Sequence, residues 1–346
     1  MDLHEAKTRL QQHLSDGLVT IVGSGLSCAE GLPSMEDLAK HLRRAVGPTL
    51  TGEDAAAWSE IEPLMQTKGL EGALLQKPPT AGLESAIIAA TAVLFSERER
   101  AVVSDVFTGA RQLRLTRLMA HLVKPSAGLP VITTNYDRLV EIAVEEAGIG
   151  ADTMFRGRFA GTLNEKESRL SFCRNVTLKN RNVVYHYRPR ALVCKPHGSL
   201  DWYLRDGNPV CYAGDLPDVA RLIITPGLNK FRNGYDSPFD HHRSRANDAI
   251  DRASRFLILG YGFNDDHLET HLKPAIRSGK PTLLMTYALS PTAEQLATGY
   301  ANVIALDHVS EKGAEGTRMI FEKQAEFFPG LKLWDVHSFI AEVLEP

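Results

Sequence analysis

Seven short apolar runs bounded by turn residues punctuate this chain: LVTIVG (18 to 23), LPVIT (129 to 133), ALVCK (191 to 195), RLIITP (221 to 226), RFLILG (255 to 260), PTLLMT (281 to 286) and NVIAL (302 to 306). Short, nearly continuous apolar runs of this kind read as strands buried on both faces. Helical stretches lie between several of them: SMEDLAKHLRRAV from residue 34, YDRLVEIAVEEAG from residue 136 and HLETHLKPAIRSG from residue 267. Strand alternating with helix implies an α/β fold built on a parallel, doubly wound sheet with right-handed crossovers.

Two stretches interrupt that rhythm. Residues 51–125 hold no convincing strand, and EDAAAWSEIEPLMQ, EGALLQK, ESAIIAATAVLFSERER and ARQLRLTRLMAHLVK all carry helical periodicity. We read them as a helical subdomain inserted between the first two core strands, so that residues 1–50 and 126–310 together form the α/β domain. Residues 151–190 are a second excursion of mixed character, within which RNVTLKNRN (174 to 182) reads as solvated loop. Residues 311–346, with FEKQAEFFPGLKLWDVHSFIAEVLEP at their end, read as a C-terminal helical segment of one or two helices. MDLHEAKTRLQQHL at the N-terminus reads as a polar helix and lacks the basic start and apolar core of a signal peptide.

Composition narrows the function classes. Acidic and basic residues are mixed along the 346-residue chain and sum to a formal net charge of −3, which leaves no basic footprint for nucleic acid or an anionic membrane. The longest apolar stretch, AIIAATAVLF (86 to 95), is about half of the roughly 20 residues a membrane helix needs. These features point to a soluble, cytoplasmic protein. Cys28, Cys173, Cys194 and Cys211 show no CxxC spacing, so neither a zinc ribbon nor a disulfide framework is expected, and no metal.

Polar residues cluster where core strands end. TTNYD (133 to 137) and KPHGSLDW (195 to 202) bring Asn135, Asp137 and His197 to the ends of two apolar runs. In an open α/β sheet, ligands bind outside the carboxyl ends of the strands. IVGSGLS (21 to 27) carries Gly23, Ser24, Gly25 and Ser27 to the same rim. Glycines there let the backbone turn sharply and approach a pyrophosphate, whose charge is met by free N–H groups of the next helix. A tight βα turn without a ligand has the same pattern. Cys28 stands where the dehydrogenase fingerprint has its third glycine, and no strand ending in an acid follows about twenty residues on, which argues against hydride transfer. Further along, Gly31 and Pro33 form a turn, and Ser34 with Asp37 makes a capping-box pattern. ILGYGFNDD (258 to 266) ends another strand with Gly260, Tyr261 and Gly262, followed by Asn264, Asp265 and Asp266.

Taken together, GSGLSCAEGLPS, TTNYD, KPHGS and ILGYGFNDD resemble, in order and approximate spacing, the motif series of the sirtuin superfamily: a Gly-Ala-Gly-x-Ser loop with a following Gly-Ile-Pro, a Thr-Gln-Asn-x-Asp segment, a His-Gly, and a late glycine-containing strand end. The resemblance covers residues 18 to 290. It implies a Rossmann-like, sirtuin-type fold that takes NAD+ as its substrate. The departures matter as well. The two cysteine pairs of the protein deacylases are absent, Ser34 and Met35 stand where the family has Phe-Arg, and no segment gripping an acyl-lysine peptide is evident. The chain therefore looks like the sirtuin-like branch of bacterial anti-phage defence, whose members hydrolyse NAD+ to nicotinamide and ADP-ribose.

The resemblance also implies roles. His197 would hydrogen-bond the nicotinamide ribose and serve as general base. Asn135 would contact that ribose and orient the attacking water, since an amide offers a donor and an acceptor without titrating. Asp137 would hold the nicotinamide carboxamide. Ser24, Ser27, Pro33, Thr134, Gly260, Tyr261, Gly262, Asn264 and Asp265 would line the rest of the dinucleotide site, with Thr286 at the adenosine. Helix capping is the competing reading for Asn135 and Asp137, and equally for Asn264 and Asp265.

His267 and His271, four apart with Glu269 between them, superficially resemble a zinc-protease motif. Glutamate there should follow the first histidine directly, and here it is displaced by one position, about 100° round the helix. A solvated or partner-facing pair is the better reading, as it is for His241 and His242. An NAD+-depleting enzyme needs control, which implies a homo-oligomer and a separately encoded activator such as a translocase-type ATPase. Two other functions compete: a non-hydrolytic module sensing NAD+ or ADP-ribose, which would need neither His197 nor Asn135, and a deacylase or ADP-ribosyltransferase, which would need an acceptor channel.

Overall fold

The computed structural model describes residues 3–216, 219–225, 236–311 and 313–345. Its strands are β1 (Leu18–Val22), β2 (Leu129–Thr133), β3 (Gly150–Asp152), β4 (Phe155–Arg156), β5 (Gly161–Leu163), β6 (Cys173–Lys179), β7 (Asn182–Tyr187), β8 (Arg190–Cys194), β9 (Gly198–Arg205), β10 (Asn208–Cys211), β11 (Arg221–Ile223), β12 (Arg255–Leu259), β13 (Thr282–Met285), β14 (Val303–Glu311), β15 (Ala314–Phe321) and β16 (Gln324–Pro329). The helices are α1 (Leu3–His13), α2 (Ser24–Ala29), α3 (Met35–Ala45), α4 (Gly52–Gln76), α5 (Ala81–Phe107), α6 (Arg114–Met119), α7 (Leu139–Glu146), α8 (Glu165–Ser171), α9 (Phe239–Arg252), α10 (Asp266–Arg277), α11 (Pro291–Gly299) and α12 (Val336–Phe339).

Nine strands form the main sheet in the order β16-β15-β14-β13-β12-β1-β2-β8-β3. The pairs from β3 across to β14 are parallel, and β15 and β16 add an antiparallel edge. Within it, β8-β2-β1-β12-β13-β14 is the doubly wound order of a dinucleotide-binding fold, Rossmann-like in topology. The chain leaves β1 toward β2 and β8, then returns to β12 on the other side, so the topological switch lies at β1, between the β1 and β12 ends. The α/β, parallel-dominated fold is the one that the apolar runs imply.

Period-two alternation divides the core in two. Leu18 and Val22 of β1 join Leu129, Val131, Leu257, Leu259, Leu283 and Met285 on one face, packed against α3 to α7 and the C-terminal helix. Val19 and Ile21 join Ile132, Cys194, Phe256, Ile258 and Leu284 on the other, packed against α9 to α11. Every residue of β1 is buried, so a one-residue slip would exchange the two cores.

Three expectations need correction. Residues 314–329 are not helical: β15 and β16 form a hairpin on the sheet edge, and only Val336–Phe339, with a short π-helical turn over Ile340–Leu344, follows as helix. The turn between them, Glu322 and Lys323, has φ of 47° and 68°, a type I′ geometry that favours Asn-Gly, so the sequence lacks the usual hairpin signature there. RNVTLKNRN is not loop either, because β6 and β7 pair in a separate two-stranded sheet through a positive-φ turn at Asn180 and Arg181. RLIITP contributes β11 to a second, antiparallel sheet of order β11-β9-β10-β5-β4 rather than to the main one, and its Pro226 lies outside the described residues.

Residues 52–119 contain α4, α5 and α6 and no strand. The two helical stretches EDAAAWSEIEPLMQ and EGALLQK run together in α4, which breaks at Gly69, where φ is 72°. Among the described residues no helix is long and apolar enough to cross a membrane.

Candidate active site

The loops after β1 and β12 meet at the switch point. Gly23 donates its N–H to Leu259 O at 2.9 Å and Gly25 to Gly260 O at 2.9 Å. A Cβ on Gly23 would lie 2.4 Å from Gly260 O, and one on Gly25 2.9 Å from Gly260 Cα. The glycines are thus required by backbone-to-backbone packing of two loops, whatever else they approach. The short α2 starts at once and turns Ser24 and Ser27 toward a cleft of about 920 Å³, open mouth included.

Asn135, 7% exposed, closes one side of this cleft. Its amide nitrogen donates to Gly23 O at 3.0 Å and to Ser27 Oγ at 2.8 Å, while Ser27 Oγ donates to Asp137 Oδ2 at 2.8 Å. A carbonyl oxygen can only accept, so the bond to Gly23 fixes the amide orientation and leaves Asn135 Oδ1 as the acceptor of the group. The other oxygen of Asp137 accepts Leu139 N at 3.1 Å at the start of α7. Arg138 is the N-cap of α7 and no side chain caps that helix, so Asp137 instead closes the turn into α7 and holds Ser27. Burial, opposed by Lys195, raises its carboxyl above the usual range.

Lys195, absent from the sequence-based site, braces the arrangement. Its ammonium is 0% exposed and donates to the carbonyls of Tyr136 and Asp137 and to Glu141 Oε1 at 3.0 Å, tying the Asn135 loop to the His197 loop. Its backbone N–H donates to His242 Nδ1 at 3.1 Å. His242 is accordingly a buried core imidazole packed at a tilt against Trp202, kept neutral by burial, and not the solvated residue expected of it. Gly198, with φ of 87°, lets β9 pass so close to β11 that a Cβ would sit 2.0 Å from Leu222 O, and the turn from Lys195 to Gly198 aims His197 into the cleft. His197 is 8% exposed and its Nε2 lies 2.7 Å from Asp265 Oδ2.

A sequence model of the SIR2-like domain matches residues 130–304, just over half of the chain. The chain belongs to the SIR2-like family. Among solved structures it is similar to a Sir2 variant with a deacetylated p53 peptide and 3′-O-acetyl ADP-ribose, at 15% identity over 100% of this chain and 98% of that one, with a TM-score of 0.42. It is also similar to a Sir2 mutant with p53 peptide and NAD, at 15% identity, the same coverage and a TM-score of 0.41. A third, titled for the structural basis of sirtuin substrate affinity, is 15% identical over 84% of this chain and 90% of that one, with a TM-score of 0.38. No curated protein matches the chain.

In this SIR2-like chain, Ser24, Ser27, Pro33, Thr134, Asn135, Asp137, His197, Tyr261, Gly262, Asn264 and Asp265 all line the one cleft. Gly23 lies behind it. Gly25, Gly260 and Thr286 line a neighbouring groove of about 350 Å³ with Tyr287, Trp334 and Asp335, across the glycine contact from the cleft. Met35, Glu71, Phe95 and Tyr136 also line the cleft and were not anticipated. Glu71 follows the Gly69 break in α4, and Phe95 on α5 meets Tyr136 edge-on at 6.1 Å. The same helix carries the buried Glu99, which pairs with Arg138 just after the Asn-Tyr-Asp segment.

The cleft wall is acidic. Among its described residues stand Glu71, Asp137 and Asp265, with no lysine or arginine. No group of His, Cys, Asp and Glu among the described residues is arranged to hold a metal ion. His271 pairs with Asp251 at 2.9 Å and His241 with Glu165 at 3.2 Å, both on the surface and away from this wall.

Proposed function

We propose that this SIR2-like chain is an NAD+ glycohydrolase, which cleaves the bond between nicotinamide and ribose with water and releases nicotinamide, ADP-ribose and a proton. The carrying observation is the cleft at the sheet's switch point, where an oriented Asn135 and His197 face three carboxylates, with no lysine or arginine among the cleft's described residues. Nicotinamide in NAD+ is cationic and the breaking bond leaves an oxocarbenium-like ribose, so a wall of this sign favours both ground-state binding and the developing charge. Diphosphate would be repelled by the same wall. It would instead run past Ser24 and Gly262, with the adenosine toward the Thr286 groove.

In this account Asn135 Oδ1 accepts a hydrogen bond from the attacking water or a ribose hydroxyl. Its geometry is fixed beforehand by Gly23 and Ser27, so little reorganisation is needed. His197 takes a proton from water or a ribose hydroxyl as general base, a contribution worth about 10²–10⁴-fold. Asp137 anchors the Asn135–Ser27 chain of hydrogen bonds, and its second lone pairs remain open to the carboxamide. The motif resemblance further supports a role in cytoplasmic NAD+ depletion during anti-phage defence, with control through a homo-oligomer or a separately encoded translocase-type ATPase.

The acceptor distinguishes this chemistry from deacylation. Nicotinamide release is expected at the same rate with and without an acetylated peptide, with ADP-ribose as the partner product. Release that requires the peptide would overturn the glycohydrolase reading in favour of a deacylase. Bound NAD+ that is never cleaved would favour a sensor.

A further inference from the structure

Asp265 is held by its own helix as well as lining the cleft. It is the N-cap of α10, where Oδ1 accepts His267 N at 3.1 Å and Leu268 N at 3.4 Å. Its own N–H donates to Glu269 Oε1 at 2.8 Å, and Glu269 pairs in turn with Lys273. Phe263, two residues earlier, is buried with φ of 57°, a conformation a bulky residue rarely adopts and one that persists only when the surroundings impose it. The carboxylate, in a residue 4% exposed, is thus locked by its own helix before any ligand arrives, and its second oxygen, Oδ2, lies 2.7 Å from His197 Nε2.

We infer that Asp265 is the positioning residue of His197, fixing the imidazole as its Nε2–H tautomer and leaving Nδ1 as the nitrogen that accepts a proton from water or ribose. An ionised carboxylate only accepts, so the ring nitrogen facing it carries the hydrogen. A base oriented by a third group is the general logic of activated acid–base pairs. The positive end of α10 and two backbone N–H groups favour the ionised form of Asp265, whose charge would stabilise the imidazolium that proton abstraction produces. The other ionisable groups at the cleft wall are the carboxylates Glu71 from α4 and Asp137 after β2 and the phenols Tyr136 and Tyr261, both pushed up by burial and then by nearby carboxylates including Asp265, while Glu269 lies one turn along α10. The kinetic part of this inference rests on the glycohydrolase reading; the tautomer does not.

The test uses the full chain, with Asp265→Asn, which can still cap α10, and Asp265→Glu, which restores the charge. Nitrogen NMR of histidine-labelled protein, with His197 assigned by His197→Gln, reads the tautomer directly. Nε2–H in the parent and a mixed or inverted population in Asp265→Asn are expected. With NAD+, Asp265→Asn should lower kcat by about 10²–10⁴-fold at nearly unchanged KM, as the loss of an orienting carboxylate does elsewhere. Asp265→Glu should recover part of the loss, and melting should match the parent. An Nδ1–H tautomer in the parent, or a raised KM with kcat intact, would overturn the inference, the second by making Asp265 a ribose contact. A parent that never cleaves NAD+ would defeat the glycohydrolase reading and leave the tautomer measurement decisive for the pair.

Discussion

Replacing Lys195 by Met removes a buried cation while keeping most of the side-chain volume, so the cavity contribution is small and electrostatics dominates. The ammonium is 0% exposed and contacts Glu141 Oε1 at 3.0 Å and the carbonyls of Tyr136 and Asp137. Burial opposes the charge, but the carboxylates of Glu141, Asp201 and Asp137 outweigh it and hold the ammonium above its ordinary range. Glu141 Oε2 has no hydrogen-bond partner among the described residues, so loss of Lys195 strands a buried carboxylate. Breaking such a pair costs about 3–5 kcal/mol. Against a typical stability of about 5–15 kcal/mol, that is a large fraction. Urea unfolding of the parent, Lys195→Met, Glu141→Gln and the double variant measures it. The double variant should regain about 1–3 kcal/mol over Lys195→Met, the coupling expected of neighbours sharing one interaction. A loss below about 1 kcal/mol, or strictly additive losses, would refute the view that this pair holds the Asn135 and His197 loops together.

Further outcomes are expected. Gly25→Ala drives a Cβ to 2.9 Å from Gly260 Cα and O, which should cost about 1–3 kcal/mol by overpacking and depress NAD+ turnover; a parent-like melting curve would count against the glycine contact. His13 is buried and donates from Nε2 to Phe256 O at 2.8 Å, and burial, only partly offset by that bond, lowers its pKa to about 4. The unfolded chain, with its histidine near 6.5, binds the extra proton between these values, so stability present above pH 6.5 is lost as pH falls toward 4. Denaturation of His13→Gln across that window should show a shallower pH dependence, and an unchanged slope would exclude His13 as a source. Val93 and Phe107 are large exposed apolar residues of α5, and light scattering should find an oligomer that Phe107→Asp weakens if α5 forms the interface; a strict monomer would contradict the oligomer we propose.

What was legible in the sequence followed from period and position. Runs apolar at nearly every residue marked strands buried on both faces, and polar residues at their ends identified the rim, because a parallel sheet brings those ends together. The loops were harder. Gly23, Gly25 and Gly260 read as a phosphate turn, yet the space they save is taken by each other's backbones, a long-range fact that spacing along the chain does not encode. Asp265 read as a dinucleotide-site residue or a cap, and its approach to His197 joins segments almost seventy residues apart. Lys195 went unnoticed because a lysine beside a strand end normally belongs to solvent. The β15–β16 hairpin was hidden by a Glu322-Lys323 turn of unusual composition, whereas the β9–β10 hairpin went unread although Asp206-Gly207, both at positive φ, carries its signal. Gly69 was visible as a glycine between helical stretches, but only the fold reveals that the break beside it brings Glu71 to the cleft.

The most direct test of the central claim is to incubate the purified chain with NAD+ and follow nicotinamide and ADP-ribose by chromatography, beside His197→Ala and Asn135→Ala. Equal amounts of the two products from the parent, and a fall of about 10²-fold or more in both variants, are the predicted result. Release that survives both substitutions would mean that the chemistry lies elsewhere, and a parent that neither binds nor cleaves NAD+ would contradict the account at its root.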